Sequence, residues 1–329
     1  MKNLFIGIDI SKDVFDYCGL DEKNQVLISK NVCPNSKEGI RKFCNMLKEF
    51  SSYAIWICME HTGHYGSLLC YEFSTRDIRY SLLNPLEMKH SVGITRGKTD
   101  AVDAYRIASY ALSNKHKLKA YHLPVKELRK LKILMSTRDR LVKVLVQIKN
   151  GLKSLEIEAQ IIPLKAQIKE MNQLIQQLDK SILSTEIQMK SIIAETLELK
   201  NNFDKITSVI GVGNITAIKC ILETDNFTKF DNARKFNCHC GLAPFKYQSG
   251  SSIRGKTKTS PLCDKSLKSI LFKAACSAIQ HDPQLKNYYL RKIDEGKHKL
   301  SVINAVASKI VLRIFAVSKR DQNYVKIYA

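Results

Sequence analysis

The sequence predicts an α/β N-terminal domain, a central pair of long helices and a mainly helical C-terminal domain. Three observations carry that reading. Apolar strand-like runs alternate with amphipathic stretches over the first hundred residues. Leucine and isoleucine then recur in sevens between about Val125 and Leu199, and a mixed helix-and-loop texture follows from about Asn202. The corresponding bounds are 1–120, 121–200 and 201–329, more chain than a single domain usually needs.

The elements follow in order. Leu4 to Ile10 is an apolar run suited to a central strand. Val14–Cys18 and Gln25–Ser29 follow at hairpin spacing, with Asp21 to Asn24 as the turn. Ser36 can cap a helix over Lys37–Phe50, whose Ile40, Phe43, Met46 and Leu47 share one face. Tyr53–Met59 is a second apolar strand, ending at Glu60. A helix over about Tyr65–Ser74, a strand over Tyr80–Leu83 and a helix from Lys98 to about Leu112 complete the set. Three strands, helix, strand, helix, strand, helix is the ribonuclease H-like arrangement. In the middle region, Leu134, Leu141, Ile148 and Leu155 repeat every seven residues, with Leu131, Leu145 and Leu152 in the intervening register and Arg138 as an exception. After Pro163 the series resumes from Leu164 to Ile182. Two helices of a coiled coil fit this spacing, either as a spacer or as a dimerisation element.

Composition narrows the partner. Lys and Arg number 53 against 31 Asp and Glu, a formal net charge of +22 on a chain that is 44% hydrophobic. Such a charge on a foldable chain points to a polyanion, with nucleic acid ahead of an anionic membrane surface. Lys115–Lys153 alone carries twelve cations and two acids, a phosphate-binding surface or a solvated helix face. No stretch approaches about 18 uninterrupted apolar residues and no signal-peptide pattern is found, so a soluble cytoplasmic protein with no membrane association is expected. Ten cysteines are present, several inside apolar runs, where a thiol behaves as a small hydrophobe. Cys238-His239-Cys240 is a weak hint of zinc that lacks a second pair, and reduced core thiols are the plainer reading.

Four acids occupy positions that call for explanation. Asp9 sits in the first strand between apolar neighbours, a costly place for a charge unless it is paired or binds a cation. Glu60 ends the strand expected beside it, and Asp100 and Asp103 share one face at the start of a helix. In a ribonuclease H-like fold these elements converge at one end of the sheet. Mg²⁺ is the natural cation for such an oxygen-rich set, and two such ions could clamp a phosphodiester. Taken singly, Asp100 could merely favour a helix dipole and Glu60 could be a surface residue. Further on, Ile210-Gly211-Val212-Gly213 reads as a turn between helices, either phosphate-binding or simply connecting. Between Lys246 and Lys273 lie seven cations and one acid, around a loop containing Ser249, Ser251 and Ser252. A serine in such a loop is open to a phosphodiester, although serines in flexible loops are usually only loop.

Several stretches together resemble one family. These are Gly7-Ile8-Asp9-Ile10-Ser11-Lys12-Asp13-Val14-Phe15-Asp16, Glu60-His61-Thr62-Gly63-His64-Tyr65, Asn84-Pro85, Lys98-Thr99-Asp100-Ala101-Val102-Asp103-Ala104 and Gly241-Leu242-Ala243-Pro244 with its following Ser249-Gly250. They are similar to insertion-sequence transposases with a DEDD-type RuvC-like domain, a family that also includes the Piv DNA invertase. The resemblance spans nearly the whole chain. It implies that Asp9, Glu60, Asp100 and Asp103 form the metal-binding set with Mg²⁺. It also implies that Ser249 links covalently to DNA, with Ser251 and Ser252 as stand-ins. Donor and target DNA, an element-encoded guide RNA and a homo-oligomer, dimer or tetramer, are the implied partners. Candidate nucleic-acid contacts are Arg96, Lys98, Gly211, Gly213, Lys246, Arg254, Lys256 and Lys258. Departures are His61, Ile210, Asp264 and Lys268, the last two placing local geometry and one phosphate contact in question. The alternatives are a Holliday-junction-type, structure-selective metal-dependent endonuclease and a non-enzymatic nucleic-acid-binding protein.

Overall fold

The apolar run from Leu4 to Ile10 becomes the middle of a sheet because both of its faces are covered. A computed structural model describes residues 2–91, 100–245, 248–249, 253–255, 257–320 and 322–325, in two compact units, Met1–Leu123 and Pro124–Ala329.

In the first unit, β1 (Lys2–Ile10), β2 (Val14–Asp21) and β3 (Val26–Pro34) form an antiparallel meander. The β2–β3 turn is tight because Asp21 Oδ1 accepts from the amides of Lys23 (2.9 Å) and Gln25 (2.8 Å), with Asn24 at φ 63°. Next come α1 (Lys37–Met46), a 3-10 turn at Leu47–Phe50, β4 (Tyr53–Glu60), α2 (Ser67–Thr75), β5 (Tyr80–Leu83), α3 (Pro85–Ser91) and α4 (Asp100–Ser113). Ser36 caps α1 as its position predicts, its hydroxyl accepting from the Gly39 amide at 3.2 Å. The helix α3 is additional to the predicted order; its seven residues carry too short an apolar pattern to read. The sheet order is β3-β2-β1-β4-β5, with β4 parallel to both β1 and β5. A mixed sheet of this kind is compatible with the nuclease-like α/β domain expected.

The two sheet faces follow from strand alternation. Leu4, Ile6, Ile8 and Ile10 pack with Ile40 and Phe43 of α1 and with Leu69 and Phe73 of α2. Phe5 and Cys58 point the other way, against Ile107 and Ala111 of α4, while Cys18 and Leu20 meet Ala104 and Ala108. Between them lies Gly7. A Cβ there would stand 2.1 Å from the Ala104 carbonyl oxygen and 2.4 Å from the Ala108 amide nitrogen, so β1 and α4 approach backbone to backbone.

The second unit opens with a helical hairpin, α5 (Lys126–Glu158) and α6 (Lys165–Glu195), with Pro163 in the connection. The helices run antiparallel, as the ion pairs Arg138–Glu186 (2.8 Å) and Lys149–Asp179 (3.9 Å) show. The seven-residue repeat forms its buried and half-buried seam. After it come α7 (Leu197–Thr207), α8 (Asn214–Glu223) and α9 (Ala233–His239). Four two-residue strands follow, β6 (Pro244–Phe245), β7 (Gln248–Ser249), β8 (Ile253–Arg254) and β9 (Lys258–Thr259). The unit closes with α10 (Lys265–His281), α11 (Pro283–Asp294) and α12 (Lys299–Ser318). Among the described residues, α12 is the one helix long and apolar enough to cross a membrane by length and composition. Val306, Ala307, Ile310, Val311 and Ile314 of α12 instead form the centre of this core. Lys219 of α8 is buried there and bonded to Asp139 of α5 (3.3 Å) and to Ser266 of α10, which ties three helices together.

All ten cysteines are free thiols. Burial pushes the Cys58 and Cys220 thiols up to about 12, so neither is a thiolate at neutral pH. Alkylation of the native protein at pH 8 is therefore expected to label exposed Cys276, with Cys58 and Cys220 modified only after denaturation, as peptide mass mapping would show. Gly7→Ala is expected to lower stability by about 3 kcal/mol through overpacking, measured by urea unfolding; an unchanged midpoint would contradict the close approach described.

Candidate active site

Register places the predicted carboxylates. Ile8 of β1 pairs with Met59 of β4, so Asp9 and Glu60 are the next residues at the same end of adjacent strands. Alternation from Gly7 and Cys58, both on the α4 face, puts Asp9 and Glu60 on that face too. Helix α4 runs back along β1, with Ala111 and Ile107 near Phe5 and Ala108 and Ala104 over Gly7. Its first turn, which holds Asp100 and Asp103, therefore lies toward Asp9. Asp103 is held by Arg106, whose guanidinium donates to Asp103 Oδ1 at 2.8 Å. Asp9 and Glu60 are half-buried, and each has an interaction within the fold.

A further carboxylate joins them. Asp16 of β2 is the direct cross-strand partner of Asp9, and it is buried. Cα atoms of facing antiparallel residues lie about 4.5–5.5 Å apart with side chains on one face, so the two acids share the α4 side. Asp16 lies within the first motif, outside the four acids that the family resemblance implies. The available signal was its place across a short hairpin from Asp9, which sets both on one face only once the register is known. Like charges directly opposite on a sheet disfavour each other unless a cation offsets them. Three carboxylates from three strands thus share the sheet face that α4 covers, with Asp103 on that helix, and carboxylate oxygens are the donors a hard divalent ion takes.

In the second unit the pairs β6–β9 and β7–β8 nest in sequence as a ribbon between α9 and α10. Ser249 lies in β7, paired with Ile253, and Arg254 lies in β8 opposite Gln248. Lys258 is exposed on β9 opposite Phe245. Arg96, Lys98, Lys246, Lys256, Ser251 and Ser252 lie outside the described residues. The turn between α7 and α8 contains Gly211 and Gly213. Gly211 has φ 90°, and a Cβ there would stand 2.6 Å from the Ala274 carbonyl oxygen of α10, so helix packing demands a glycine. Gly213 faces open space at the start of α8.

Two family models match the chain in succession. Residues 6–155 match a DEDD-type transposase domain of the IS110 kind, and residues 204–290 match the transposase IS116/IS110/IS902 family. The chain belongs to the IS110/IS116/IS902 transposase family. Its similarity to two curated relatives runs nearly end to end. It is 25% identical to the pilin gene-inverting protein of Moraxella bovis over 99% of both chains. It is 24% identical to the transposase for insertion sequence element IS1111A of Coxiella burnetii, covering 98% of this chain and 92% of the relative. The first model covers the carboxylate-bearing unit and continues into α5; the second begins within α7 and ends within α11.

For the transposase, Asp16→Asn keeps the side chain's size and removes one charge from this face. It is expected to weaken divalent-ion binding about tenfold, read from the ion-induced rise in Tm, with the metal-free Tm unchanged or higher.

Proposed function

We propose that this transposase cleaves and rejoins DNA strands through a Mg²⁺-binding carboxylate face and a serine nucleophile, Ser249. The observation that carries the reading is the convergence of Asp9, Asp16 and Glu60 on the face covered by α4, with Asp103 above. Asp9, Glu60, Asp100 and Asp103 are the proposed metal ligands, and Asp16 joins the electrostatic field around them. Bound there, Mg²⁺ would offset charge on the phosphodiester's oxygens during substitution at phosphorus.

The rest is the work of the chain itself. Ser249 Oγ loses its proton and attacks phosphorus, forming a phosphoserine ester as the leaving strand's oxygen departs and takes up a proton. Attack by a hydroxyl of the incoming strand then breaks the serine ester, restores a phosphodiester and returns the proton to Ser249. One ester replaces another at each step, so no nucleotide cofactor is consumed. The basic ribbon around Ser249, with Lys246, Arg254, Lys256 and Lys258, supplies backbone contacts without sequence choice. Arg96, Lys98, Gly211 and Gly213 are assigned to the same task. Sequence choice falls to base pairing with an element-encoded guide RNA, and exchange between two duplexes requires a dimer or tetramer. The α5–α6 hairpin, read as a coiled coil, supports that assembly. Ile133, Ile157, Leu183 and Ile187 are exposed on it. The relatives' names, one for inverting a gene and one for an insertion element, support rearrangement of DNA segments as the outcome.

The test uses purified protein with the RNA flanking its element, Mg²⁺ and end-labelled donor and target duplexes, resolved on denaturing gels with and without protease. The expected result is a protease-sensitive protein–DNA adduct that disappears in Ser249→Ala and in Asp9→Asn. Nicked DNA without an adduct, unchanged by Ser249→Ala, would instead identify a nuclease that uses water.

A further inference from the structure

A second group of potential ligands lies away from the carboxylate face. Glu223 ends α8, His239 ends α9 and Asp264 caps α10, and their ligating atoms all lie within 4.8 Å of one another. His239 Nε2 is 3.4 Å from Glu223 Oε2. That matches the edge of a tetrahedron whose centre is about 2.1 Å from each corner, the ordinary Zn–N and Zn–O distance. Asp264 uses Oδ1 to accept from the Leu267 amide (2.8 Å), which leaves Oδ2 for another partner. The imidazole is oriented by Phe230 and Phe236, with ring centroids 5.3 and 6.0 Å away.

A separate observation concerns charge. The chain carries 53 Lys and Arg, yet among the described residues neither Glu223 nor Asp264 forms an ion pair with any of them. The contact between His239 and Glu223, an ion pair only when the imidazole is protonated, is the sole such pair either carboxylate makes among those residues. Two partly buried carboxylates and an imidazole, all within reach of one another, offer three ligand atoms to a single ion. One nitrogen and two oxygens favour a borderline divalent ion over a hard one.

We propose that Glu223, His239 and Asp264 bind a zinc-class divalent ion, with water at the fourth position, and that this ion clamps the neck of the ribbon bearing Ser249. Residues 240–263 leave α9 directly after His239 and end directly before Asp264, the cap of α10, so two of the three ligands flank the ribbon. The Asp264 amide already donates to the His239 carbonyl at 3.0 Å, closing that neck through the backbone. A shared ion adds a second closure through side chains and a third anchor on α8. His239 is flanked by cysteines in the sequence, yet its imidazole meets the Glu223 carboxylate instead. Cys240 is buried in the core with its thiol pushed above its ordinary range by burial.

The test is metal analysis of untagged, full-length protein after Zn²⁺ loading and dialysis, in an Asp9→Asn, Glu60→Gln background that disables the other carboxylate face. About one Zn²⁺ per chain is expected, and Co²⁺ loading should give the visible absorption of a four-coordinate site. His239→Ala and Asp264→Asn should each weaken Zn²⁺ binding at least tenfold. Asp264→Asn is the decisive variant, because asparagine caps a helix as well as aspartate and so preserves the start of α10. Limited proteolysis within 240–263 should slow in the presence of Zn²⁺ and be indifferent to it in Asp264→Asn. The proposal is overturned if the protein takes up no Zn²⁺ at micromolar concentration. It is equally overturned if the bound Zn²⁺ survives both substitutions. Either result leaves His239–Glu223 as a hydrogen-bonded pair, and neither bears on the role of Ser249.

Discussion

The N-terminal unit depends on how closely α4 lies on β1. With no side chain at Gly7, the helix backbone settles onto the strand, and Ala104 and Ala108 are small enough to allow it. Every larger residue at that crossing would lift α4 and carry Asp103 away from the strand ends. The acidic face is thus built by a steric constraint one turn away from the acids themselves. Were this face to hold a divalent ion, as proposed, its ligands would need such rigid elements, because small displacements matter more to an ion than to an ordinary hydrogen bond.

Charge is distributed in opposition to that face. The chain as a whole is strongly cationic, and its cations fall heavily on α5 and on the ribbon between α9 and α10. Carboxylates gather where strands β1, β2 and β4 end. A polyanionic duplex is attracted by the former and repelled by the latter, unless cations neutralise the acids first. The same opposition recurs on a smaller scale around Glu223, His239 and Asp264, at the root of a basic ribbon.

Much of the N-terminal unit was legible in the sequence because its signals are local. Strand runs such as Leu4–Ile10, the Asp21 turn and the Ser36 cap each announce themselves within a few residues. The position of Asp16 was not, since it follows from hairpin register, which the motif alone leaves undetermined. In the C-terminal unit the two long helices α5 and α6 were plain from periodicity. Helices α9 and α11 were not: one has seven residues, and the other presents a single buried residue, Leu285, to the core. The neighbours of His239 were beyond reach for a different reason. They come from residues 16 and 25 positions away, joined only by the packing of three helix ends.

The α5–α6 hairpin has one more property. A helix of 33 residues extends about 50 Å at 1.5 Å per residue, the length of roughly fifteen stacked base pairs. Its two strokes are locked in register by a seven-residue seam and by the pairs Arg138–Glu186 and Lys149–Asp179. A single inserted residue would rotate everything beyond it by about 100° and break that register. Such an arm can lengthen or shorten in evolution only by matched steps of about two turns in both helices, so its span is quantised where a loop's would drift.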